Sequence, residues 1–276
     1  MNEGEARPQL EWAQFVRLAW TSVFCAIAKM KLLFFVTAIC WVGLGFAERW
    51  ALGVVDARIA EQPTSLNFLC SIAVVISDAI IETMLLVPVA VAVHRFILLD
   101  EVSPGLSVLR QACIQNFFFW AICIDLTFGV FAAVCGLASW ILCAAVLVVL
   151  FARTLLIFPA VATEVPASTV MDRLEVSWAS SRGLFWATFL IVVVAGLPLW
   201  LVSLAPQMVA LGLAGMHGSS LAEWAQRLDW EVISSIADDL VHPLLVSILA
   251  AVASWIYLWT QQHPHRESAS GASPEA

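Results

Sequence analysis

The chain has 276 residues, 62% of them hydrophobic and 12% charged, with a mean hydropathy of +0.92. Soluble domains run at about 45–50% apolar and about 25% charged, and a core of this size could not hide so much apolar surface. Disorder is excluded for all but the ends. The formal charge of −8, from 13 Lys+Arg against 21 Asp+Glu, offers no basic face for nucleic acid. An integral membrane protein remains, with membrane lipids as its natural surroundings.

Residues 1–9 are polar and read as a flexible N-terminus, and Met1-Asn2-Glu3-Gly4-Glu5 lacks the basic start of a secretory signal. Residues 10–30 set Trp12, Val16, Ala19, Val23 and Ile27 at spacings of three and four, opposite Glu11, Arg17 and Lys29. This period predicts an amphipathic helix lying in the headgroup plane.

A span needs about 20 mostly apolar residues. Six stretches meet this: 32–54, 69–98, 115–136, 138–162, 184–205 and 240–260. Together they predict an all-α bundle of six transmembrane helices in one domain over 10–260. Glu48 and Arg49 near the end of the first stretch fit a headgroup boundary, where Arg snorkels. Two further surface helices are predicted between spans, at 103–113 after Ser103-Pro104, and at 168–181 with Thr169 and Asp172 spaced as a capping box.

Between the fifth and sixth spans, Ser220 and Glu223 form another capping box, and Leu221, Trp224, Leu228, Val232 and Ile236 stripe one face. Glu223, Asp229, Glu231, Asp238 and Asp239 make the other face acidic, with no EF-hand spacing. Residues 261–276 are polar and read as a disordered tail, in which His263 and His265 are too few for a metal site.

Arg7, Arg17, Lys29, Lys31, Arg95, Arg110, Arg173, Arg182 and Arg266 fall on one side of the predicted bundle, against Arg49, Arg58 and Arg227 on the other. The positive-inside rule then places both termini in the cytoplasm, in a bacterial inner membrane.

The cytoplasmic surface segments each precede an outward and a returning span. The third and fifth spans open alike, with Phe119-Trp120-Ala121 and Phe185-Trp186-Ala187. Glu82-Thr83 before Pro88 matches Arg153-Thr154 before Pro159, Thr and Pro coinciding and a charge standing six residues before each Pro. Three repeats of surface helix plus span pair are expected, or else chance likeness among apolar segments. Pro88, Pro159 and Pro198 should bend their helices, since each removes a backbone donor.

Charges within spans are the most informative feature. Asp78 and Glu82 share a helix face, Asp125 lies near mid-span, and Arg153 lies past the middle of the fourth span. A lone charge at mid-bilayer costs about 2.5–3.5 kcal/mol, so the four should face inward, with Arg153 paired to Glu82 or Asp125. Such a cluster either fixes helix register or forms a proton- or ion-linked site. His94 and Arg95, and His242 ahead of Pro243, read as interfacial groups, with a proton relay as the sharper alternative.

The seven cysteines form no C-x-x-C pair and read as small hydrophobes. No nucleophile elbow, zinc pair, P-loop or dinucleotide fingerprint occurs, so neither catalysis nor a cofactor is expected. Gly43-Leu44-Gly45 reads as small-residue packing. A non-catalytic scaffold or lipid-organising role is the first expectation, and a small transporter the alternative.

Three segments carry a family resemblance: Pro88-Val89-Ala90-Val91-Ala92-Val93-His94-Arg95-Phe96 before Leu98-Leu99, Arg153 with Phe158-Pro159-Ala160, and Arg182-Gly183-Leu184-Phe185-Trp186. Through them the chain resembles the YciC-like six-span bacterial inner-membrane proteins. It is also similar to the membrane domain that some glycerophosphodiester phosphodiesterases carry. The resemblance implies location and architecture, and no hydrolase activity.

Overall fold

The computed structural model describes residues 11–61, 65–136, 140–164, 170–181, 183–214 and 229–263. Among these the chain is all-helical: α1 (Trp12–Lys29), α2 (Lys31–Glu61), α3 (Ser65–Leu99), α4 (Cys113–Gly136), α5 (Trp140–Thr154), α6 (Ile157–Ala162), α7 (Val170–Ser180), α8 (Phe185–Ala214) and α9 (Trp230–Gln262).

Four of these helices are long and apolar enough to cross a membrane, over Lys31–Val55, Ala79–Leu99, Phe185–Leu213 and Val232–Gln262. The apolar stretches Cys113–Gly129 and Val146–Ala162, where the third and fourth spans are predicted, are shorter among the described residues. Half or more of the α3 and α9 windows is buried (50% and 56%), against 28% for α2 and α8. The bundle is therefore built on α3 and α9, with α2 packed on both, α8 on α9, and α4 on α3. On α2 and α8, Phe35, Ile39, Trp50, Trp186, Leu201 and Leu211 lie exposed. An apolar surface this extensive is not left to water.

Prolines act according to what surrounds them. A Pro ring clashes with the carbonyl four residues earlier. For Pro159 that residue is Leu155, and the fourth predicted span breaks there, α5 and α6 being separated by a turn at Leu155–Leu156. Helices α3, α8 and α9 run through Pro88, Pro198 with Pro206, and Pro243 respectively.

Several predicted boundaries change. The 103–113 segment holds only a short 3-10 helix, Ser107–Arg110, because Pro104 and the left-handed Gly105 (φ +58°) precede it. Val232 and Ile236 belong to α9 rather than to a separate loop helix, and Asp229 caps α9 by accepting from the Val232 N–H at 3.1 Å. Asp238 and Asp239 consequently stand inside a membrane-capable helix. Gln261 and Gln262 continue α9, and His263 stacks on Trp259. Residues 1–9, Thr169, Arg182, Ser220, Glu223 and the chain from Pro264 lie outside the described residues.

Helix α1 packs on α3, α8 and α9. Its buried stripe is Phe15, Ala19, Val23 and Ala26; Trp12, expected on the apolar face, is 48% exposed. The two alanines let α1 approach closely, and the Trp255 indole of α9 donates to Ser22 Oγ at 3.1 Å.

Candidate functional site

Helices α3, α4, α5, α6 and α9 line a partly open cavity of about 400 Å³. Its walls are mostly aliphatic and aromatic, and its polar groups are Glu82, Thr83, His94, Asp125, Thr154 and His242. Two of the four expected central charges, Glu82 and Asp125, are thus brought to one space. Asp78 lies on α3 one turn before Glu82, but its side chain is outside the described residues.

The antiparallel course of α3 and α4 sets the depths. Thr83 meets Asp125 across the two helices, Oγ1 lying 3.1 Å from Oδ2. Further along, the His94 ring lies 5.7 Å from that of Phe117. Thr83 and His94 are eleven residues apart, which is about 17 Å of helix. The cavity therefore has an acidic end and a histidine end.

Thr83 Oγ1 also donates to its own helix, at Ala79 O (2.8 Å). One hydroxyl carries one hydrogen, so the same geometry serves two states of Asp125. Ionised, Asp125 accepts from Thr83; protonated, it donates to Thr83, whose hydrogen then returns to Ala79. Thr154 repeats the back-bond, donating to Leu150 O at 3.0 Å.

At the other end His94 is 1% exposed. It is a buried group rather than a surface anchor, because Ser254 of α9 meets its Nδ1 at 2.8 Å. Ser254 Oγ donates to Ala250 O at 2.9 Å, which leaves Nδ1–H as the donor to Ser254 and Nε2 as the ring's lone pair. His242, exposed at one side, lines the cavity and stacks on Trp41 of α2, ring centroids 4.7 Å apart and 14° from parallel.

Arg153 is not the hub of this cluster. Its Nη1 donates to Trp178 O (3.1 Å) and Ser181 Oγ (3.3 Å), and its guanidinium lies 5.2 Å over the Trp178 ring. The reason is local. Arg153 falls in the last turn of α5, opposite the C-terminal turn of α7, where unsatisfied carbonyls and the negative end of the helix dipole attract a cation. Ser177 closes the joint by donating to Arg153 O at 2.6 Å.

Arg95 behaves as an anchor, with three segments attached. It pairs with Glu101 (2.8 Å) and Glu164 (3.1 Å) and donates to Ala162 O (2.9 Å). Asp100 and Glu164 adopt left-handed φ values of 52° and 57°, the helix-ending conformation usually given to Gly.

A second polar group escapes sequence reasoning. Arg49 of α2 pairs with Asp239 of α9 at 3.3 Å, and Ser203 of α8 donates to Asp238. Gly45 permits the first contact, since a Cβ there would stand 2.5 Å from Asp239 Oδ2. The available signal was an Arg on the first span and paired acids before the sixth, each easily assigned to a loop. Ser254 gave none, being one small residue in an Ala-rich run. Among the described residues, no group of three or more His, Cys, Asp or Glu is placed to hold a metal ion.

No known protein family, curated protein or solved structure matches this chain.

Proposed function

We propose that the chain is a six-span protein of the bacterial inner membrane, with both termini cytoplasmic, acting without catalysis as a small proton-linked transporter. One observation carries this: Asp125 lines the cavity, with Glu82 beside it in the lining, and the group it meets is the Thr83 hydroxyl rather than a cation. A register-fixing cluster needs its charges closed off, whereas a transport site needs them reachable. The cavity volume falls within the roughly 300–1,000 Å³ of small-molecule sites. Intramembrane carboxyls beside such a space mark ion and proton pathways.

On this proposal α4 and the α5–α6 pair are the third and fourth spans; α4, at 24 residues, is about 36 Å long. The repeat is supported by Thr83 and Thr154, which stand five residues before Pro88 and Pro159 and both line the cavity. Membership of the YciC-like proteins is proposed on the segments quoted above.

The test is reconstitution into sealed vesicles with an imposed pH gradient and an internal pH dye. Gradient-dependent proton movement lost in Asp125→Asn is expected; vesicles as tight as protein-free ones would overturn transport. A lipid-organising scaffold is the second proposal, favoured by the exposed apolar faces of α2 and α8. Specific lipids co-purifying from mild detergent, without proton movement, would select it.

A further inference from the structure

We propose that the cavity binds a small amphiphilic organic cation, a protonated or quaternary amine, in exchange for the proton of Asp125. This rests on the transport proposal and names the substrate class of the same site.

The walls select the body of the ligand. Phe117 and Phe128 of α4, Phe151 of α5 and Phe158 of α6 all line the cavity, presenting aromatic groups of the kind that hold ammonium ions by cation–π attraction. Phe117 and Phe158 already pair at 4.9 Å, so that wall is formed without a ligand.

The charges select its sign. Asp125 shares the acidic end of the cavity with Glu82 of α3, and His94 of α3 and His242 of α9 also line the space. Asp239 lies one turn before His242 and is held by Arg49. Among the described residues no Lys or Arg lines the space, and Arg153, adjacent to the lining residue Thr154, is occupied by α7. An anion would meet the Asp125 carboxyl with no Lys or Arg among the lining residues to receive it, whereas an ammonium complements that carboxyl.

Exchange follows from Thr83. An ionised carboxyl at this depth needs compensation, by a proton or by another cation. Thr83 satisfies Asp125 in either state without movement of heavy atoms, since its single hydrogen turns between Ala79 O and Asp125 Oδ2. The arriving ammonium takes the compensating role, and one proton leaves Asp125 for solvent.

The experiment uses the full chain in lipid nanodiscs and in sealed vesicles, with benzyltrimethylammonium as the probe. Neopentylbenzene, the same shape without charge, is the control. Expected are saturable binding of the ammonium and weak binding of the hydrocarbon. Affinity should rise by up to about tenfold per pH unit through the range in which Asp125 titrates, as one-for-one competition requires. Asp125→Asn should remove the pH dependence; Asp125→Glu should retain it, which separates loss of the carboxyl from loss of folding. Equal affinity for the two probes, or pH-independent binding by the unaltered chain, would overturn the proposal. In vesicles, Asp125-dependent proton movement without ammonium binding would refute the cation class and leave transport standing. Proton-coupled binding without movement would do the reverse.

Discussion

Replacing Gly45 by Ala tests the packing of α2 on α9 at a single atom. The added Cβ would lie 2.5 Å from Asp239 Oδ2 and 2.8 Å from its Cγ, distances no relaxed contact tolerates. The Asp239 carboxylate is the group that must yield, yet it is 14% exposed and tied to Arg49 at 3.3 Å. Overpacking costs about 1–3 kcal/mol, and turning the carboxylate away also weakens the ion pair, so roughly 2–4 kcal/mol is expected. At about 2–4 °C per kcal/mol for a chain of this size, the melting temperature should fall by roughly 5–15 °C. Thermal unfolding in detergent, followed by size exclusion, measures it. Two internal controls accompany the variant. Gly43, two residues away, has nothing within 4 Å of its virtual Cβ, so Gly43→Ala should be neutral or gain about 0.5–1 kcal/mol from the helix. In an Asp239→Ala background the cost of Gly45→Ala should vanish, because the obstructing carboxylate is gone. Equal behaviour of the two glycines, or a cost at Gly45 that persists without Asp239, would refute the reasoning.

Other outcomes follow from the same contacts. Arg153→Ala should lower stability by about 1–3 kcal/mol, since Trp178 O and Ser181 lose a charged donor; adding Asp125→Asn should restore none of it, a double-mutant cycle giving coupling near zero. Ser254→Ala strands the buried His94 Nδ1 and should cost about 1–3 kcal/mol in a melting assay. Asp100→Gly relieves a left-handed residue at φ 52° and should raise stability by up to about 1 kcal/mol. Arg95→Lys replaces a fork that reaches Glu101, Glu164 and Ala162 O together by a point charge; protease cleavage in the 100–112 connection should accelerate several-fold.

The broad architecture was legible because hydrophobic burial leaves a long-range trace in composition. Runs such as 69–98 and 240–260 are too apolar to be anything but helices sheltered from water, and they emerge inside Ser65–Leu99 and Trp230–Gln262, the last helix starting ten residues earlier than its apolar run. Of the site, Glu82 and Asp125 were legible because a charge inside a span must be accommodated somewhere. Thr83, Ser254 and Trp41 were not, since a hydroxyl or indole in an apolar run carries no mark of what it will face.

What the sequence determined by itself, then, was helical periodicity, lipid-compatible length and the presence of carboxyls at depth; these are properties of single segments. Which charge meets which was settled only by tertiary structure. Arg153, like Asp125, lies well inside its apolar run, but it stands in the last turn of α5, against the carbonyl end of α7. Coulomb attraction acts over a few ångströms, and hydrogen bonds over less. Pairing is therefore decided by how helices rotate and cross, which no one-dimensional spacing records.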